Sequence, residues 1–444
     1  MARPDPRSTS PWLVLVLVCF AQFMVVLDAT IVNVALPSIQ RSLNFSAANL
    51  QWIVNGYTLV FGGFLLLGGR AGDLFGRKRL FLAGLALFTF ASLLNGLAQS
   101  SEMLIAARAL QGLGAALVSP AALSIITTSF ADGPARTKAL GVWGGIAASG
   151  SAVGLLLGGV LTEALSWEWI FFVNIPIGIV AFILSLRYVP ESRAEKRPGG
   201  ADIAGAVSVT GGLIVLVYAL VKAQEFGWGS ARTLGLVALA IGLLAAFVEI
   251  ERRSAHPLVR LGVFRIRTLA AANSVMLLVI SGMFAMFFFA SIYVQEILGY
   301  SPIQAGLAFL PVTAGIMIGA GSAQGLVPRI GVRNVGLAGM TLAAAGLLLL
   351  SGVPTHGTYA SDLLPALLLV SVGMGLTFVP LTLIATTGVD ANDAGLASGL
   401  FNTSQQVGGA LGLAVLSTLA ANRTSSVLGG LGHAPAPPDR ASAL

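Results

Sequence analysis

Charge is scarce in this chain. Only 10% of its 444 residues are charged, 56% are hydrophobic, and the mean hydropathy is +0.88. A soluble globular protein carries about 25% charged residues. A chain so poor in charge cannot cover its surface in water, so lipid must be its solvent. In lipid the backbone has to satisfy its own hydrogen bonds, which leaves helix bundles or closed barrels. The apolar runs are about 20 residues long, the length of a membrane helix, and they show no strict alternation. An all-α integral membrane protein follows.

Other absences narrow the function. The single cysteine, Cys19, excludes an intramolecular disulfide, and no Cys/His cluster suggests a metal. No Gly-x-x-x-x-Gly-Lys-Ser/Thr loop is present, which disfavours an ATP-driven pump. No catalytic constellation points to an enzyme, and no cofactor is expected. The net charge of +7 would suggest nucleic acid in a soluble protein. Here the cations hold cytoplasmic loops in place, and no nucleic-acid partner is expected. The segment Met1 to Pro11 carries Arg3 and Arg7. The apolar run behind it is too long for a signal-peptide core and reads as a first span.

Thirteen spans are expected near 12–36, 50–69, 80–98, 103–126, 140–163, 169–188, 203–223, 233–250, 268–294, 305–327, 334–352, 363–386 and 397–421. With a cytoplasmic N-terminus, nineteen Lys and Arg fall in cytoplasmic segments, five fall outside, and Arg108 lies within a span. That bias sets the orientation, in a cell inner (cytoplasmic) membrane.

The sequence also repeats itself. Leu43-Asn44-Phe45-Ser46-Ala47 resembles Leu298-Gly299-Tyr300-Ser301-Pro302, and Gly76-Arg77 echoes Gly331-Val332-Arg333, both 255 residues on. Gly112, Gly114 and Pro120 match Gly373, Gly375 and Pro380 at offsets of 261, 261 and 260. Parallel related halves with a site between them are a transporter architecture. The expected layout is a six-span bundle over 1–190, loops and two extra spans over 191–266, a second bundle over 267–421, and an external tail over 422–444. The sixth span has no counterpart. Its place reads Gly-Leu-Gly-His-Ala-Pro-Ala-Pro-Pro-Asp-Arg from Gly430, which is no membrane helix.

Two buried charges stand out. Asp28 lies within the first span and Arg108 within the fourth. At 1.5 Å per residue they sit about 12 and 9 Å below the same interface. A charge at such depth costs ~2.5–3.5 kcal/mol on insertion scales and must face a cavity or a partner. Either a structural ion pair or a titratable coupling site meets that need. Gln51 and Asn55, then Asn402 and Gln405, form polar stripes, and Gln111 lies one turn from Arg108. Such stripes line a wet cavity or glue helices together, and both readings stand. Gly150, Gly154 and Gly158 recur every four residues, a spacing that lets two backbones approach closely. The loop Gly69-Arg70-Ala71-Gly72-Asp73-Leu74-Phe75-Gly76-Arg77-Lys78-Arg79 carries a carboxylate that fits a purely topological signal poorly. It can bond helix ends and basic side chains across a closing interface. Topology signal and gating latch both stand, and the resemblance below favours the latch.

These residues resemble the major facilitator superfamily, and within it the fourteen-span drug–proton antiporters (the EmrB/QacA type). The loop 69–79 looks like the superfamily's Gly-x-x-x-Asp-x-x-Gly-Arg-Lys signature. Arg108-Ala109-Leu110-Gln111-Gly112 resembles the fourth-span Arg-x-x-Gln-Gly motif, and the segment ending Val34-Ala35-Leu36-Pro37 the first-span motif. Trp167-Glu168-Trp169-Ile170-Phe171-Phe172-Val173-Asn174-Ile175-Pro176 is similar to the start of the sixth span, and Gly399-Leu400-Phe401-Asn402-Thr403 with Gly408-Gly409 to the thirteenth. The resemblance implies alternating access, with efflux of an amphipathic small molecule against inward proton flow and no cofactor but the proton gradient. A monomer is expected. By position Asp28 and Arg108 would carry proton coupling, while Gly69, Asp73, Gly76, Arg77 and Lys78 would form the gating loop. Gly150, Gly154, Gly158 and Gly159 match the antiporter motif of the fifth span. Leu155 stands where that motif usually has proline, and Glu168 where arginine is common between the tryptophans.

Overall fold

The computed structural model describes residues 10–130, 134–192, 202–255, 257–259, 261–262, 266–354, 357–386 and 394–430. Every expected span falls on a helix. The first six are α1 (Pro11–Ser42), α2 (Trp52–Phe75), α3 (Arg77–Gly96), α4 (Ser101–Ser129), α5 (Pro134–Ala164) and α6 (Asn174–Tyr188), the last preceded by a short turn over Trp169–Phe172. Two more follow, α7 (Ile203–Phe226) and α8 (Ala231–Arg253). The last five are α9 (Arg267–Ile292), α10 (Leu310–Ile330), α11 (Val332–Leu350), α12 (Leu364–Thr386) and α13 (Ala394–Gly430). A short helix over Pro302–Ala308 leads into α10. The last helix runs past the expected end near 421, and the expected tail from 431 lies outside the described residues. Among the described residues, eleven helices are long and apolar enough to cross a membrane.

Local chemistry sets where the helices begin and break. Ser100 caps α4 by accepting from Met103 N, with Glu102 in the first turn. Between α2 and α3 the chain turns at Gly76 with φ of 106°, and between α10 and α11 at Gly331 with φ of 84°. Both torsions lie where a side chain is strained, so glycine permits the break. Ser46 and Ser301 each cap the short helix that follows, through Asn49 N and Gln304 N. The residues 255 apart in sequence therefore do the same local work.

The matched glycines of α4 and α12 behave differently. A Cβ on Gly112 would land on Tyr57 of α2, and one on Gly114 would lie 2.7 Å from Phe88 N of α3. Gly373 instead faces Ala343 of α11, at 2.5 Å, and Gly375 faces Ile316 of α10. The partners are crossed, so Gly112 does not correspond to Gly373. Gly114 and Gly373 correspond better, since their partners Phe88 and Ala343 are again 255 residues apart.

α1 packs along α5 and against α4 and α6, while α4 packs on α2 and α3. In the later part α12 packs on α10 and α11, and α9 on α13. The two groups meet where α2 lies beside α13 and where α5 meets the Pro302–Ala308 helix. α7 lies against both α2 and α13, with α8 outside it. Leu234, Leu239 and Ile241 of α8 are exposed, as suits a lipid-facing helix.

Candidate functional site

The polar residues that are most costly in an apolar bundle converge at one place. Asp28 is 0% exposed and Arg108 1%. Arg108 Nη1 donates to Asp28 Oδ2 at 2.6 Å. The other carboxylate oxygen, Oδ1, accepts from Gln111 Nε2 and from Asn174 Nδ2, both at 2.8 Å. Three donors thus hold one carboxylate, an arrangement that suits the acceptor-only ionised form.

Arg108 has further support that does not depend on Asp28. Its Nε donates to the Ile53 carbonyl at 3.0 Å and its Nη1 to Gln111 Oε1 at 2.6 Å. The guanidinium lies 4.4 Å from the centre of the Tyr57 ring and 5.7 Å from that of Phe171. Aromatic faces attract a desolvated cation by about 2 kcal/mol or more. Removing the charge on Asp28 would therefore leave the cation cradled, with one fewer partner.

Gln111 joins the cluster together. Its amide nitrogen donates to Asp28 and to Ser92 Oγ, its oxygen accepts from Arg108 and from Asn95 Nδ2, and the last three contacts measure 2.8, 2.6 and 2.8 Å. All four bonding positions of the amide are used. Of the two readings open for Gln111, cavity lining or helix glue, its full burial as the hub of the ion pair favours the second. Ser92, Asn95 and Asn174 were not singled out in the sequence as cluster members. Their signal was available, since each is a polar residue within an apolar span. Tyr57 Oη, Asn95 Oδ1 and Asn174 Oδ1 are buried beside the cluster and find no hydrogen-bond partner among the described residues.

Of the other cavity candidates, Gln51 and Asn55 are buried, with Asn55 Nδ2 3.5 Å from Gln51 Oε1. Asn402 is exposed and Gln405 half-buried on α13.

The glycine stripe of α5 lies against α1. A Cβ on Gly150 would stand 3.0 Å from Val26 Cγ1, one on Gly154 would land on Thr30 Oγ1, and one on Gly158 would be 2.7 Å from the Ile31 carbonyl. Those contacts flank Asp28 on the same helix. Gly159 faces the other way, with a Cβ 2.8 Å from Ile303 Cα. Leu155, in place of the family's proline, is buried, and its carbonyl lies where a Cβ on Gly306 would come within 2.6 Å.

At the expected gating loop, Gly69 lies beside Pro120, and Gly76, Arg77 and Lys78 meet the segment after α6. Arg77 N donates to Ser192 O at 3.0 Å, Lys78 N to Glu191 Oε1 at 3.2 Å, and Lys78 Nζ to Leu186 O at 2.8 Å. The side chain of Asp73 lies outside the described residues. These bonds stay within the first group of helices.

Apolar helices of membrane-spanning length around a buried, charged hub fit a membrane transport protein. The sequence model of the Major Facilitator Superfamily matches residues 18–413, and the chain belongs to that superfamily. It is 43% identical over 436 residues to the puromycin resistance protein of Streptomyces alboniger, covering 98% of this chain and 86% of that one. The cephamycin export protein of Amycolatopsis lactamdurans is 44% identical, over 94% of this chain and 87% of that one. A tetracenomycin C resistance and export protein of Streptomyces glaucescens is 37% identical, over 94% and 77%. Among solved structures, the POT family transporter PepTSo matches with a TM-score of 0.68 at 16% identity, covering 99% of this chain and 95% of that one. A bacterial homologue of the lysosomal transporter Spinster matches with a TM-score of 0.65, at 16% identity over 97% and 86%.

Proposed function

We propose that this chain exports amphipathic small molecules, antibiotics among them, in exchange for protons by alternating access. It would sit as a monomer in the cytoplasmic membrane with its N-terminus inside. The relatives' names, resistance and export proteins, support the direction and the substrate class. The α7–α8 pair between bundles over 1–190 and 267–421 supports placing it with the fourteen-span drug antiporters.

The observation that carries proton coupling is the sealed Asp28–Arg108–Gln111–Asn174 cluster. Ionised, Asp28 holds donors from α4 and α6 against α1. A proton on Oδ2, which accepts only Arg108, would cancel the charge and loosen α1 from α4 while the cation keeps its Ile53, Gln111 and Tyr57 contacts. Two protonation states thus favour two positions of α1, which exchange requires. Asp73 and Arg77 would hold the cytoplasmic face when that face closes.

The test is drug accumulation in inverted vesicles energised by an imposed pH gradient. Wild type should accumulate puromycin when the interior is acid, and dissipating the gradient should release it. Accumulation that persists after the gradient is collapsed would exclude proton coupling.

A further inference from the structure

One set of polar contacts joins the two groups of helices at the face where α1 ends, and its parts come from residues assigned no role so far. Pro37 lies inside α1. A proline has no N–H, so the carbonyl four residues earlier loses its usual helical partner. That carbonyl belongs to Asn33, and it accepts from Ser291 Oγ of α9 at 2.6 Å. The next carbonyl, Val34 O, accepts from Gln295 Nε2 at 2.9 Å. Gln295 Nε2 also lies 3.2 Å from Ser291 Oγ, so the two side chains act as a pair. Immediately after Ile292 the helix widens to π geometry over Tyr293–Ile297, an irregularity that concentrates at functional sites.

The surroundings make this a seam. Val34 of α1, Leu155 of α5, Ala290 of α9, Val294 of its π extension and Ala305 of the Pro302–Ala308 helix are buried in one apolar cluster that continues into α10 and α12. Glu163 Oε2 accepts from Ile303 N at 3.0 Å across the same boundary. The apolar part closes the seam without direction, whereas the carbonyl bonds are directional and fix the height of α1 against α9. Asn33 lies five residues beyond Asp28 on one continuous helix, about 7.5 Å along its axis. A shift of α1 at the charge cluster is therefore felt at these carbonyls.

We propose that the Asn33 and Val34 carbonyls, with Ser291 and Gln295, form the bolt that keeps this face closed. Pro37 frees the acceptor, and breaking the bolt is the step that opens the cavity to this side. Ser291, Gln295 and Pro37 are positioning residues in the transport cycle. The proposal rests on the alternating-access reading above but not on its drug or proton parts.

The test uses full-length protein in lipid nanodiscs with Cys19→Ser and one reporter, Ala305→Cys, at a position that is 0% exposed. Maleimide labelling is followed without drug or pH gradient. Ser291→Ala and Gln295→Leu should each speed labelling by about three- to ten-fold, the population change that loss of a hydrogen bond produces. Ser291→Thr, which keeps the hydroxyl, should label at the wild-type rate. Pro37→Ala returns an N–H to compete for Asn33 O and should also speed labelling, with no further gain when combined with Ser291→Ala. A second reporter, Ala122→Cys, buried within the first group of helices, should not change, which separates the bolt from general loosening. Wild-type labelling in both Ser291→Ala and Gln295→Leu would overturn the bolt, and wild-type labelling in Pro37→Ala would overturn the part given to the proline. Loss of proton-driven accumulation leaves all these rates untouched, so the two readings fail separately.

Discussion

At the scale of single residues, Asp28 and Gln111 make different demands. Asp28→Asn keeps the shape of the side chain but removes its charge, imitating the protonated carboxyl permanently. It is expected to bind drug and to fail at accumulating it against a gradient, which equilibrium binding and vesicle accumulation measured side by side will show. Full accumulation by the variant would move coupling elsewhere, with Glu163 and Glu296 the next carboxylates to try. Gln111→Leu tests the hub. It strands Asn95 Nδ2, takes a donor from Ser92, whose hydroxyl still bonds the Phe88 carbonyl, and strips one donor from Asp28 and one acceptor from Arg108. Each stranded buried group costs about 1–3 kcal/mol. A clear fall in the thermal midpoint of the purified protein is expected, and an unchanged midpoint would mean that the network relaxes. The ion pair itself was legible in the sequence, because two opposite charges stood at similar depth in apolar runs. The presence of polar residues in the spans was legible too, but not which of them would meet the pair, because an asparagine in a span carries no sign of which helix it will face.

At the scale of elements, the contrast between glycines is testable. Gly154→Val would drive a branched side chain into Thr30, whose hydroxyl bonds the Val26 and Leu27 carbonyls at 3.1 Å. Overpacking of this kind costs about 1–3 kcal/mol, and here it pushes α1 off α5 beside Asp28. Export should be lost with the protein still inserted, as transport and expression measured together will show. Gly242→Ala on α8, where a Cβ meets nothing within 4 Å, should be neutral or stabilising by up to about 1 kcal/mol through helix propensity. Equal effects of the two would mean that the close approach of α5 to α1 does not decide export. The spans could be read from the sequence because each is a long apolar run; Gly76 and Gly331 stood out only as a repeat, and their shared positive φ is what the structure adds. The α4–α12 register could not, because two glycines two residues apart face different neighbours and spacing alone does not say which.

At the scale of the whole molecule, the direction of transport depends on which face is outside. The helices alternate, so one face carries the starts of α1, α3 and α5 and the other their ends. The first face holds Lys78, Arg79, Arg187, Arg252 and Arg253, and the second Arg41, Lys222 and Arg232. On the proposed orientation, with cations retained on the cytoplasmic side, the first face would be the cell interior. The seam of Asn33, Ser291 and Glu163, which these contacts hold together, would then lie outside. A molecule closed on the outside is ready to take drug from the cytosol, which an exporter needs at the start of its cycle. Cys19 is buried, so single added cysteines can report on each face. With an impermeant maleimide on intact cells, Gln99→Cys and Gly229→Cys, both at exposed positions, should be labelled. Arg187→Cys and Arg252→Cys should react only once the membrane is permeabilised. Labelling of the second pair in intact cells would invert the chain, and the same closed seam would then face the cytosol and describe a protein waiting to load from outside.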